Sequence, residues 1–121
     1  MKIGVIGLGY VGLTFSVVAA SRGLEVVALE TNAKIKECLN AGKAHFYEPG
    51  IDDLISGLLN KKLFIDEVFD KHNSIDVFFV TVGTPLKLES SEPNYDYLLS
   101  AMKAIENSYD GSQLVILRST V

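Results

Sequence analysis

The sequence contains very little cysteine and histidine. Of its 121 residues, 1 is cysteine and 2 are histidine. The single cysteine, Cys38, excludes an internal disulfide, and one cysteine with two histidines cannot form an ordinary zinc site. We therefore expect no metal site, and the cysteine content fits a reducing cytoplasm.

Positive charge is also scarce. Lys and Arg together number 11 against 15 Asp and Glu, which gives a formal net charge of -4. The chain lacks the dense basic surface that binding to a nucleic-acid backbone requires, so nucleic acid is not an expected partner.

Repeats, low-complexity tracts and long linkers are missing as well. A hydrophobic content of 48% in 121 residues is enough to bury one core, and the chain is too short for two ordinary domains. The sequence therefore predicts one compact unit over residues 1–121.

The segment Ile3 to Ala20 contains no charged residue and in this respect resembles a signal peptide or a membrane-spanning segment. It is longer than the usual apolar region of a signal peptide. It also contains four glycines, which are poor residues for a helix interior: Gly4, Gly7, Gly9 and Gly12. We therefore assign this run to the folded domain and expect no membrane segment.

Short apolar runs alternate with helical patterns along the chain. The runs predict buried strands at Lys2–Ile6, Glu25–Leu29, Leu63–Ile65, Ile75–Val82 and Leu114–Leu117. One helix is predicted from Leu13 to Ala20, and a second begins after a cap at Thr31 or Asn32 and stops near Asn40. Two further helices are predicted from apolar faces, formed by Ile51, Leu54, Ile55, Leu58 and Leu59 and by Tyr95, Leu98, Leu99, Met102 and Ile105. The alternation predicts an α/β fold of the Rossmann type, with a doubly wound, mainly parallel sheet and helices on both faces.

A glycine motif, Gly7-Leu8-Gly9-Tyr10-Val11-Gly12, follows the first strand and opens the first helix. In a dinucleotide-binding loop the first glycine permits a tight turn, the second lets the backbone approach a pyrophosphate, and the third lets helix and strand pack closely. The helix N-terminus adds free N–H donors and a positive dipole end. This segment, called the glycine loop below, predicts a nicotinamide-dinucleotide site.

An acidic residue, Glu30, closes the second predicted strand. At this position a carboxylate accepts hydrogen bonds from the adenosine ribose, and its charge repels a 2′-phosphate. No arginine follows Glu30 to hold such a phosphate, because Arg22 and Arg118 are the only arginines. The sequence therefore favours NAD over NADP.

Five segments together resemble the NAD-binding domain of the UDP-glucose/GDP-mannose dehydrogenase family. The glycine loop is shared with other Rossmann dehydrogenases, whereas the other four segments are more specific in their order and spacing. The five are Gly7 to Leu13, Leu39 to Lys43, Tyr47 to Gly50, Val82 to Leu86 and Ser119 to Val121.

The resemblance implies an NAD-dependent enzyme that oxidises the C6 alcohol of a UDP-sugar to a carboxylate by two hydride transfers. UDP-glucose is the first expected substrate, with UDP-N-acetylmannosamine and GDP-mannose as alternatives. The implied cofactor-binding residues are Gly7, Gly9, Tyr10, Val11, Gly12, Glu30, Thr84 and Thr120. Thr120 also matches a family threonine that helps hold the catalytic water, so it is the expected catalytic residue. In the family the nucleophilic cysteine, the sugar-binding domain and a dimer-forming helix lie further along, and Cys38 does not match that cysteine.

Two positions depart from the family pattern. The family usually has aspartate where Glu30 stands, and commonly has lysine where Ile35 stands, with Lys34 and Lys36 flanking it here. A lysine contact to the cofactor is therefore left open. Because the sequence offers no nucleophile or acid/base pair, an NAD(H)-sensing module without chemistry is the alternative from another functional class.

Overall fold

The fold is built on one parallel sheet. A computed structural model describes residues 1–69, 74–83, 87, 91–92 and 94–118. Its strands are β1 (Lys2–Ile6), β2 (Glu25–Leu29), β3 (Leu63–Asp66), β4 (Val77–Val80) and β5 (Leu114–Leu117). They pair in the order β3-β2-β1-β4-β5, and every pair is parallel. This order reverses direction between β1 and β4, as in a doubly wound sheet.

In the described part of the chain, four helices cover the two faces of the sheet: α1 (Tyr10–Ser21), α2 (Ala33–Asn40), α3 (Ile51–Leu58) and α4 (Asp96–Glu106). Side chains of α1, α2 and α3 pack in one core cluster with Val5 and Val26. Side chains of α4 pack in the other cluster with Ile6 and Val27. Neighbouring residues of one strand thus enter different clusters, as the alternation of a strand covered on both faces requires. The predicted α/β fold is confirmed.

The charge-free run at the start of the chain forms the centre of this fold. It supplies all of β1 except Lys2, and all of the 12-residue helix α1 except Ser21. Strand β1 pairs with both β2 and β4. No helix in the described residues is long and apolar enough to cross a membrane.

Several element boundaries differ from the sequence prediction, and the largest differences are in α1 and β4. Helix α1 begins at Tyr10, three residues before the predicted start at Leu13, so Gly12 lies in its first turn. Strand β4 spans Val77–Val80, shorter than the predicted Ile75–Val82. Just before it, the Asp76 carboxylate accepts a hydrogen bond from the Lys2 backbone N–H at 2.8 Å.

Burial was mispredicted at three apolar segments. Leu114 is 60% exposed and Leu117 is also exposed, because β5 lies at the edge of the described sheet and pairs only with β4. Leu99 is 61% exposed, since α4 packs through Ala101 and Ile105. In α3 the buried residues are Ile51 and Ile55, whereas Leu54 is exposed.

Candidate functional site

The site lies where β1, β2 and β4 end side by side. Ile6 is in register with Leu29 of β2 and with Val80 of β4. The next residues along the three strands, Gly7, Glu30 and Thr81, therefore meet at one edge of the sheet. This edge carries the carboxyl ends of the strands at the point where strand order reverses, which is where open α/β sheets bind ligands.

Gly7 makes the tight turn that leaves β1. Its φ is +95°, a conformation that side-chain-bearing residues rarely adopt, and its N–H donates to the Leu29 carbonyl at 3.0 Å. The chain then turns back into α1 within three residues. A glycine is therefore required here by the backbone itself.

Gly9 and Gly12 are glycines for different reasons. A Cβ on Gly12 would collide with the Gly7 carbonyl oxygen and the Thr81 hydroxyl, so the close packing of turn and helix requires its absence. Apart from its chain neighbours Leu8 and Tyr10, a Cβ on Gly9 would meet no described residue within 4 Å. Glycine is a favoured N-cap residue, and the open space at Gly9 also leaves its backbone accessible to an approaching ligand.

The N-terminus of α1 is well suited to bind an anion. Gly9 is its N-cap, no side chain in the described chain caps it, and its first turn holds no acidic residue. By comparison, α2 is capped by the Asn32 side chain, and α3 has two aspartates in its first turn. The first-turn N–H groups of α1 can thus donate hydrogen bonds to a phosphate group, and the positive end of the helix dipole favours its negative charge.

The Glu30 carboxylate faces the glycine loop. Its Oε1 accepts a hydrogen bond from the Leu8 N–H at 2.7 Å, and its Oε2 accepts one from the Asn32 N–H at 2.8 Å. An ionised carboxylate has about four acceptor positions, so each oxygen keeps one for a further donor. Glu30 is therefore bound to the loop and still able to accept a ribose hydroxyl.

Tyr10 and Val11 lie on the outer side of the first turn of α1, 57% and 48% exposed. The centroids of the Tyr10 and Phe46 rings are 4.9 Å apart. The Tyr10 hydroxyl donates a long hydrogen bond of 3.4 Å to Glu48 Oε2. The segment Tyr47 to Gly50, which the sequence marked as specific, thus lies beside the glycine loop. Tyr47 itself is almost fully exposed.

Thr81 is a site residue that the sequence analysis missed. Its hydroxyl donates to the Gly7 carbonyl at 2.7 Å and lies 3.2 Å from the Ile6 carbonyl. The predicted strand Ile75–Val82 included Thr81, whereas β4 ends at Val80 and Thr81 follows it directly. The family pattern instead points to Thr84, three residues further on.

The remaining candidates of the sequence analysis are two threonines and two lysines. Thr84 and Thr120 lie outside the described residues, so their roles stay predictions. Lys36 pairs with Glu67 at 3.3 Å, which leaves Lys34 as the flanking lysine without a described ion pair. No group of three or more His, Cys, Asp or Glu side chains in the described chain could hold a metal ion.

The chain matches the profile of the UDP-glucose/GDP-mannose dehydrogenase family, NAD binding domain, over residues 1–121. It belongs to this family. It is 39% identical over 119 residues to UDP-N-acetyl-D-mannosamine dehydrogenase of Campylobacter jejuni, covering 98% of this chain and 29% of that enzyme. It is 34% identical over 126 residues to UDP-glucose 6-dehydrogenase of Rhizobium meliloti, covering 100% of this chain and 28% of that enzyme.

A solved structure of this family has the same fold. It is described as the UDP-D-ManNAc dehydrogenase from Pyrococcus horikoshii, and it matches with a TM-score of 0.86 at 33% sequence identity, covering 100% of this chain and 29% of that one. The chain thus spans less than a third of these relatives. The family domain binds NAD, and the open backbone at Gly9, the uncapped α1 N-terminus and Glu30 fit that cofactor.

Proposed function

We propose that residues 1–121 form the NAD-binding domain of a UDP-sugar 6-dehydrogenase. The observation that carries the proposal is the glycine loop at the reversal of strand order, with open space at Gly9 in front of the uncapped α1 N-terminus. In this family of dehydrogenases, that arrangement suits the NAD pyrophosphate. Bound NAD supplies the hydride acceptor for the oxidation of the sugar alcohol.

Each site residue has a role in this proposal. The first-turn N–H groups of α1, which include those of Tyr10 and Val11, bind the pyrophosphate. Glu30 accepts a hydrogen bond from the adenosine ribose and disfavours a 2′-phosphate by charge repulsion. Thr84 contacts the cofactor, and Thr120 lies near the nicotinamide and helps hold the catalytic water. The support for the two threonines is the match of their segments to the family pattern.

The substrate proposed first is UDP-glucose, whose alcohol would be oxidised to a carboxylate in two steps, with one NAD reduced in each. UDP-N-acetylmannosamine is the second candidate. Its support is sequence identity, which is 39% to the Campylobacter UDP-N-acetyl-D-mannosamine dehydrogenase and 34% to the Rhizobium UDP-glucose 6-dehydrogenase. GDP-mannose, which the name of the family includes, is the third candidate substrate. We further propose a cytoplasmic enzyme that works as a homodimer or larger oligomer. The chain alone would bind NAD without completing the oxidation.

The proposal is tested by assaying the full product of the gene that encodes this chain. NADH formation is followed with UDP-glucose, UDP-N-acetylmannosamine or GDP-mannose as the only sugar. We expect two NADH per sugar with one of the UDP-sugars, and a much lower rate when NADP replaces NAD. NAD binding without turnover of any nucleotide sugar would contradict the enzyme proposal in favour of an NAD-sensing module. Equal rates with NAD and NADP would contradict the role of Glu30.

A further inference from the structure

The peptide group between Gly7 and Leu8 is held at both of its polar ends. Its carbonyl oxygen accepts a hydrogen bond from the Thr81 hydroxyl at 2.7 Å, and its N–H donates to Glu30 Oε1 at 2.7 Å. The Leu8 side chain is fully buried in the core shared with α1. This one peptide group is therefore fixed in orientation by contacts on three sides.

The two side chains that hold this peptide come from opposite sides of β1. Glu30 follows β2 and Thr81 follows β4, and the sheet register places both beside Gly7. The Thr81 hydroxyl also occupies space that a Cβ on Gly12 would need. Thr81 thus touches both the turn that leaves β1 and the first turn of α1.

We propose that Thr81 is a positioning residue which, together with Glu30, preorganises the glycine loop for the NAD pyrophosphate. The inference rests on the NAD site proposed above. Gly7 is conformationally free by virtue of lacking a side chain, so its carbonyl could rotate toward the ligand if it were not hydrogen-bonded. A carbonyl oxygen facing a phosphate would repel it. The Thr81 hydroxyl prevents that rotation, so the loop does not have to be ordered when NAD binds.

Thr81→Val removes the hydroxyl and keeps the shape of the side chain. We expect it to weaken NAD binding about 3- to 10-fold in calorimetry, the range for one lost hydrogen bond. Thr81→Ser restores the hydroxyl and is expected to bind within about 2-fold of the wild-type chain. This rescue separates the hydrogen bond from a packing effect. Thr81→Ala is the second variant without a hydroxyl, should valine impair folding.

The matched control is Thr14→Val. The Thr14 hydroxyl is buried in α1 and has no hydrogen-bond partner in the described chain. Its removal is expected to leave NAD affinity within about 2-fold, because no bond to the loop is lost. The same variants are compared without NAD by hydrogen exchange of the Leu8 amide. Exchange should accelerate in Thr81→Val and stay unchanged in Thr14→Val.

The outcomes separate this inference from the cofactor assignment. Weaker NAD binding and faster Leu8 exchange in Thr81→Val, both restored by serine, would support the positioning role. Unchanged NAD affinity in Thr81→Val, with the wild-type chain binding NAD, would overturn the positioning role alone. A wild-type chain that binds no NAD would overturn the cofactor site and this role together.

Discussion

Gly9→Ala is expected to weaken NAD binding by about 100-fold or more, equivalent to about 2.7 kcal/mol. The loss of stability should be no more than about 1 kcal/mol, because Gly9 is the N-cap of α1, where alanine is less favourable than glycine. Apart from its chain neighbours, the added methyl would meet no described residue within 4 Å, whereas it would stand where the pyrophosphate must approach the backbone. The φ of Gly9 is -67° and its ψ is -164°, an extended conformation that alanine tolerates. Calorimetry with NAD and a thermal melt measure the two effects.

Gly57→Ala is the matched control for this variant. Gly57 lies in α3, and a Cβ there would also meet no described residue within 4 Å, apart from its chain neighbours and the backbone of its own helix. Because alanine is a better helix former, the control should stabilise the chain by about 0.8–1 kcal/mol and leave NAD binding unchanged. Tight NAD binding by Gly9→Ala would refute the assignment of Gly9 to the pyrophosphate. Unfolding of Gly9→Ala would instead indicate a structural role.

Gly12→Ala is expected to destabilise the fold by about 3 kcal/mol or more. Its Cβ would collide with the Gly7 carbonyl oxygen and the Thr81 hydroxyl, and a clash with backbone in a packed region costs at least as much as ordinary overpacking. The better helix propensity of alanine compared with glycine offsets only about 1 kcal/mol of this destabilisation. The free energy of unfolding of a small domain is about 5–15 kcal/mol. Chemical denaturation of Gly12→Ala should therefore show a large decrease in this free energy.

The double variant Gly12→Ala with Thr81→Ala locates the cause of this loss. It removes the hydroxyl from the clash but leaves the Gly7 carbonyl oxygen in place. We therefore expect the double variant to remain strongly destabilised. Wild-type stability of Gly12→Ala would contradict the close packing of turn and helix, and full recovery in the double variant would place the clash at Thr81 instead of at the backbone.

Much of the fold could be predicted because sequence pattern and sheet position agree at the centre. The boundaries of β1 and β2 were predicted as observed, since both strands are central, covered on both faces and free of polar side chains after their first residue. The cap at Asn32 was among the two predicted candidates, and its side chain accepts hydrogen bonds from the Lys34 and Ile35 N–H groups.

The errors in burial arose where tertiary position outweighs hydrophobicity. Leu114 belongs to a strand as apolar as β2, but it lies at the edge of the described sheet. In α4 the contact with the sheet is made through Ala101 and Ile105. Alanine contributes little to an apolar pattern, so the larger but exposed Leu99 was placed on the wrong face. Sequence hydrophobicity alone does not distinguish these cases.

The candidate site was predictable where a motif fixes the backbone and less so where neighbouring strands contribute side chains. The glycine loop and Glu30 were identified from their spacing, and they lie together at one edge of the sheet. Thr81 was missed because its role depends on the pairing of β1 with β4, which connects residues more than 70 positions apart in sequence. No local pattern signals that contact.

Titration of the wild-type chain with NAD in a thermal unfolding experiment tests the central claim most directly. A ligand that binds only the folded state at about 100 times its dissociation constant adds about 2.7 kcal/mol to stability. We predict a saturable rise in melting temperature with NAD that is lost in Gly9→Ala and retained in Gly57→Ala. No rise in the melting temperature of the wild-type chain at millimolar NAD would contradict the assignment of the glycine loop as its NAD site.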